Sequence, residues 1–280
     1  LERIVSSEAD RRTNPLRSAL AGKVLGGRLG TLPPIESPEL PDEAAPAIAR
    51  RAAQLPAFAP LLDELEIAGW SSHRRALCGT FHDWLMLEGR RILVAVGGAV
   101  GAEPSDAAEA ALVGQAAWAA IRAHAFHVCD AGELLSLAAR SFWPVSNAAM
   151  HVSVAVALLD MSEGRGSVAM AGECLAWRIR AACCEPLPNH QPMLGEATDF
   201  TYGSQLVQLS LRERLVLLSD NPLARPAKLP SSIAASFARL NAESHRRMMA
   251  ADAVALVRRQ IESRGQSSHA PSSVVVVRRR

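Results

Sequence analysis

Apolar and polar positions change their rhythm near residue 65. From there short apolar runs alternate with polar breaks. Leu65–Trp70, Phe81–Leu87 and Arg91–Gly97 read as strands, and Glu88-Gly89-Arg90 is a turn signal joining the last two. Residues Ser105–Ala125 are almost wholly apolar and too long for a strand, which predicts a helix buried on a broad face. Asp106 as N-cap, with Glu109 three residues on, supplies its capping box. Ala131–Phe142 predicts a second helix. Strands return at His151–Asp160, Ser167–Ala171, Leu175–Arg180, Gln205–Leu209 and Arg214–Ser219, with Met161–Gly166 as a Gly-containing hairpin loop. Ser231–Glu243 and His245–Glu262 predict two more helices, and Val274–Val277 a last β-branched strand before Arg278-Arg279-Arg280.

The strands are joined mostly by hairpins and do not alternate one-for-one with helices. That order predicts an α+β fold with antiparallel sheets, against a doubly wound parallel sheet. Residues 1–64 follow another pattern. Pro33, Pro34, Pro38, Pro41, Pro46, Pro56 and Pro60 punctuate them, and Gly26-Gly27 breaks any early helix. They read as an N-terminal extension to a main domain over 65–280. A first residue of Leu1 reads as the cut end of a longer chain.

Composition narrows the function classes. Apolar residues at 49% suffice for a sizeable core. Thirty basic residues against 28 acidic ones leave a net charge of +2, without the basic excess of a dedicated nucleic-acid binder. The five cysteines form no C-x-x-C pair, so neither a disulfide framework nor a zinc ribbon is expected. Cys183 and Cys184 read as small residues at a strand end. No apolar run reaches membrane-spanning length and no signal peptide is visible, so a cytoplasmic location is expected. His124, His127, Cys129 and Asp130 are the densest metal-capable cluster, though histidines at a helix C-terminus also suit the helix dipole. No Gly-x-Ser-x-Gly elbow, P-loop or Gly-x-Gly-x-x-Gly spacing occurs. The terminal arginines read as a solvated tail, and Arg246, Arg247, Arg258 and Arg259 as the wet face of the last helix.

Six short patterns then fall in a fixed order. Ile67-Ala68-Gly69-Trp70 leads to Cys78-Gly79-Thr80-Phe81-His82-Asp83-Trp84. Ile92–Val96 leads to Gly97-Gly98-Ala99-Val100-Gly101-Ala102-Glu103 and the Ala-rich helix. Met170-Ala171-Gly172 sits on a hairpin, Met193-Leu194-Gly195 follows, Leu215–Leu218 leads to Ser219-Asp220-Asn221, and Pro271-Ser272-Ser273 precedes the last strand. Together, over residues 65–280, they resemble the SpoIIE/RsbU-type branch of the PPM (type 2C) metal-dependent serine/threonine phosphatases. The resemblance implies an α/β/β/α sandwich of two stacked, mainly antiparallel sheets flanked by helices. It also implies a centre of two Mg²⁺ or Mn²⁺ ions that activates a water against a phosphoserine or phosphothreonine.

Four acidic positions carry that centre in the family, and this chain matches one of them, Asp220. The others align with Thr80, Gly98 and Ser272 or Ser273. Two neutral hydroxyls, one absent side chain and one carboxylate are a poor set for two dications, which favour carboxylate oxygens. His82, Asp83 and Glu103 are the candidate substitute ligands. The expectation is therefore a degenerate, catalytically weak or inactive homologue, without bound metal, that acts in bacterial signalling by binding a protein. The resemblance suggests a phosphorylated anti-sigma antagonist as that partner, and a homodimer as a further arrangement. The alternative is an active phosphatase with a reduced or substituted metal site. A third reading is a structural or sensory module.

Overall fold

Period-two alternation of side-chain direction builds the sheets, whose central strands are buried on both faces. A computed structural model describes residues 56, 59–60, 62–71, 79–101, 107–145, 150–180, 183–197, 199–220, 229–239, 242–262 and 272–280. The expected extension over 1–64, the Asp106 cap and Glu103 lie largely or wholly outside these residues. The described strands are β1 (Leu65–Ser71), β2 (Phe81–Leu87), β3 (Arg91–Gly101), β4 (Met150–Asp160), β5 (Arg165–Ala171), β6 (Leu175–Arg180), β7 (Cys183–Leu187), β8 (Gln205–Gln208), β9 (Arg214–Asp220) and β10 (Ser272–Arg279). The α-helices are α1 (Ala107–Ala125), α2 (Ala131–Phe142), α3 (Leu229–Ala238), α4 (Ala242–Arg247) and α5 (Ala250–Glu262).

Two sheets result, ordered β1-β10-β9-β6-β7 and β2-β3-β4-β5-β8, with all neighbours antiparallel. In β10, Val275 and Val277 point between the sheets while Val274 and Val276 point outward to α3 and α5. In β9, Leu215 and Leu217 point inward, Val216 and Leu218 outward. In β3, Ile92, Val94 and Val96 face the other sheet, and Leu93 and Ala95 face α1 and α2. Each helix pair thus covers one outer face, giving the α/β/β/α sandwich expected. Asp130 caps α2 by accepting the N–H groups of Gly132 and Glu133.

Three expectations change. Cys183 and Cys184 open a strand, β7, which pairs with β6 at the edge of its sheet. Its Pro186 masked it in the sequence, and an edge strand is where proline is tolerated. The two C-terminal helices are three, since Met248 and Met249 separate α4 from α5. The terminal arginines are not a solvated tail. Strand β10 runs on to Arg279 between β1 and β9, which carries the arginines into the fold. Arg278 is buried and its Nη1 donates to Glu66 Oε2 at 3.0 Å, while Arg279 Nη1 donates to the Leu209 carbonyl at 2.8 Å. Arg246, Arg247, Arg258 and Arg259 are exposed, as expected. Among the described residues no helix is long and apolar enough to cross a membrane.

Candidate functional site

The inward alternation of β1, β9 and β10 ends in a small polar residue. In β1 the inward series is Leu65, Ile67, Gly69, Ser71; in β9 it is Leu215, Leu217, Ser219; in β10 it is Val277, Val275, Ser273. Register places Ser71 opposite Ser273 and Ser273 opposite Ser219, so three serines form a row on the inner face of one sheet. The facing sheet supplies a second row. Gly98 pairs with Ser153, and Thr80, one residue before β2, flanks Gly98 on its other side. His82 lies one step deeper. Ser71, Thr80, His82, Ser153, Ser219 and Ser273 are all buried.

Contacts close this layer. Ser71 Oγ lies 2.7 Å from His82 Nδ1 and 2.6 Å from Ser273 Oγ. In one of the two assignments that use each proton once, Ser273 donates to Ser71 and Ser71 to a bare Nδ1; in the other both directions reverse. The Glu173 N–H donates to Ser153 Oγ at 3.2 Å. Glu173 also lines a cavity of about 690 Å³ with His190, Gln191, Met193 and Glu196. Ser71, Thr80, Gly98, Ser219 and Ser273 line neither that cavity nor another of about 670 Å³ at the Arg91 end of β3.

Thr80 lies beside Gly98, Ser219 faces Gly98 from the other sheet, and Ser273 is the strand neighbour of Ser219. Ser272 does not join them, because alternation turns it to the opposite face of β10 from Ser273; it sits in register with Asp220, the last residue of β9. Asp83 is corrected as a substitute ligand. One residue from His82 on a strand, it points to the helix side, where Oδ1 accepts the Trp84 N–H at 2.7 Å and Oδ2 accepts from Arg122 Nη1 at 3.3 Å. Burial raises its pKa, against the lowering effects of the Trp84 N–H and Arg122. The histidine cluster does not assemble either: His124 Nε2 bonds Ser141 Oγ at 2.7 Å, and among the described residues no group of three or more His, Cys, Asp or Glu side chains is placed to hold a metal. Ser71, Ser153 and Ser219 escaped the sequence reading. Their signal was a serine ending an inward-facing apolar series.

The two described rows do not by themselves fit a two-dication centre; the Asp220 side chain and Glu103 lie outside the described part of the structure. None of the inward side chains in the two rows carries a carboxylate, and neutral hydroxyls do not offset the dehydration of Mg²⁺ or Mn²⁺. A Cβ built on Gly98 would lie 3.1 Å from Thr80 Cγ2, a tight contact, and 3.4 Å from Ser219 Oγ, so a side chain there needs Thr80 to give by a few tenths of an ångström.

The family model described as Stage II sporulation protein E (SpoIIE) matches residues 88–280. The chain belongs to this family, in the SpoIIE/RsbU-like branch of the PPM phosphatases. No curated protein matches it in sequence. Among solved structures, the SiaA-PP2C domain of Pseudomonas aeruginosa superposes with a TM-score of 0.67 at 17% identity, covering 85% of this chain and 96% of that one. The RsbU and RsbW domains of Rv1364c from Mycobacterium tuberculosis give 0.58 at 20% identity, over 79% of this chain and 61% of that one. The PP2C phosphatase domain with a regulatory fragment of SpoIIE from Bacillus subtilis gives 0.59 at 12% identity, over 76% and 63%. The chain thus spans less than two thirds of the last two chains. At these identities the likeness is one of fold, the PP2C-like sandwich.

Proposed function

We propose that this chain is a pseudophosphatase: it keeps the phosphatase sandwich, does not hydrolyse phosphoesters, and acts by binding a protein. The partner is a small phosphorylated protein of the anti-sigma antagonist type, the class that the family resemblance implies. The observation that supports this reading is that the described inward side chains around Gly98 carry hydroxyls and no carboxylate. Hydrolysis at this end of the sandwich would need a polarised water and charge to stabilise the phosphoryl oxygens. The layer offers neutral hydroxyls already bonded to one another, and an imidazole buried out of reach of a substrate.

The test is calorimetric titration of the whole chain with Mn²⁺, alongside hydrolysis of a phosphoserine peptide at saturating Mn²⁺. The reading expects neither two-site metal binding nor turnover above the protein-free rate. Micromolar binding at two sites with metal-dependent turnover would overturn it in favour of an active phosphatase with substituted ligands. Partner binding is read separately, by titrating a phosphorylated antagonist protein into the metal-free chain; no heat of binding would sink that half of the proposal.

A further inference from the structure

We infer that Gly69, Ser71 and Ser273 form a seat built for the imidazole of His82, and that this seat ties the two sheets together where the family's fold holds its metals. The inference deepens the proposed function, on which its last clause rests. Three separate observations carry it. Gly69 makes the room: a Cβ there would lie 2.6 Å from His82 Cδ2 and 3.0 Å from its Nε2, so any other residue in β1 would push the ring out. Ser71, two residues on and on the same face, then meets Nδ1 at 2.7 Å and is itself bonded to Ser273 at 2.6 Å. Trp84, the next inward residue of β2, flanks the ring with centroids 5.8 Å apart.

The path of these bonds matters. Ser71 and Ser273 belong to one sheet and His82 to the other, so the relay crosses the gap between the layers. All three side chains are nearly sealed from water, at 2%, 0% and 5% exposure for Ser71, Ser273 and His82. Water is therefore poorly placed to replace a lost partner, and removing one member costs its neighbour in the relay one hydrogen bond. A metal centre joins two sheets through charge and demands carboxylates. A neutral relay joins them through short bonds and requires that carboxylates be absent. The seat therefore makes the folded state independent of divalent cations.

The test is a double-mutant cycle of Ser71→Ala and His82→Phe on the full chain, followed by urea unfolding with EDTA and with millimolar Mn²⁺. Each single variant should lower the folding equilibrium constant by roughly tenfold or more. The double variant should be no worse than the more severe single one, because both break the same relay. Neither EDTA nor Mn²⁺ should move the wild-type midpoint. If His82→Phe does not fold, Ser71→Ala paired with Ser273→Ala gives the same cycle. Strictly multiplicative losses, or a midpoint lowered by EDTA, would overturn the inference. The two proposals separate cleanly: turnover on a phosphopeptide with strong coupling would leave the tie standing and sink the pseudophosphatase, and additive variants without turnover would do the reverse.

Discussion

Replacing Gly98 by Asp restores on paper the acid that this chain has lost, and the structure expects it to damage the protein. Part of the cost is steric. The new Cβ meets Thr80 Cγ2 at 3.1 Å and Ser219 Oγ at 3.4 Å, inside a layer already held by hydrogen bonds, and overpacking of this kind costs about 1–3 kcal/mol. The remainder is electrostatic. An ionised carboxylate among neutral, sealed hydroxyls pays for its dehydration, or it stays protonated with a raised pKa. A raised folded-state pKa places the charge penalty at high pH and relieves it as pH falls through that pKa. Urea unfolding of Gly98→Ala, Gly98→Asn and Gly98→Asp separates the parts. Alanine reads the Cβ contact alone, at about 1 kcal/mol. Asparagine adds volume, and aspartate should be the least stable of the three at neutral pH by about 2 kcal/mol or more below asparagine. That gap should narrow on acidification. A Gly98→Asp protein as stable as wild type, or one stabilised by Mn²⁺ as a bound ligand would stabilise it, would show that the space and the metal site exist and refute the argument.

Other outcomes follow from buried charge elsewhere. Burial holds the pKa of His245 below its ordinary value of 6.5, with Arg214 beside it acting in the same direction and the Phe237 carbonyl opposing, so the folded chain resists a proton that the unfolded chain accepts. Stability should therefore be complete above that ordinary value and decline as pH falls below it; His245→Asn should flatten the slope in urea midpoints measured across this range, and an unchanged slope would count against the assignment. Asp83 has the opposite profile. With its folded pKa raised by burial, its ionisation opposes folding as pH rises through that value, so Asp83→Asn should be no less stable than wild type at neutral pH despite losing Arg122, as thermal melts would show. Arg214 is 1% exposed and donates to the carbonyls of Arg212, His245 and Met248, tying α4 and the segment after it to β9. Arg214→Met leaves those acceptors short of donors and should cost about 3–5 kcal/mol in chemical denaturation, while a loss under about 1 kcal/mol would mean that the buried carbonyls find other donors.

Much of this was legible along the chain. The turn between β2 and β3, the apolar length of α1 and the β-branched run of β10 are local signals, and these elements formed where their own residues called for them. The absence of carboxylates at Thr80 and Gly98 was equally plain, because a motif's order survives in one dimension. Strand β7 was hidden because Pro186 argues against a strand unless the strand is known to lie at an edge, and edges are a property of the assembled sheet. The tail arginines misled for a related reason: exposure follows from the neighbours of β10, which lie far from it in sequence.

The division is sharpest at the hydroxyl layer. The sequence by itself determined which face of its strand each residue takes, since a strand's side chains alternate with period two. That places Ser273 and Ser272, and likewise His82 and Asp83, on opposite faces, but which face is the inner one was decided by the structure. Which inner faces meet was decided only by the stacking of the sheets. Ser71 and Ser273 stand 202 positions apart and bond at 2.6 Å, because β1 and β10 pair and then pack against β2 and β3. Pairing and stacking are paid for by burial of whole faces, a sum over many residues that no local pattern contains. What surrounds Gly98 and Thr80 was therefore a question for the tertiary structure, and among the described residues its answer is a set of serines near one histidine.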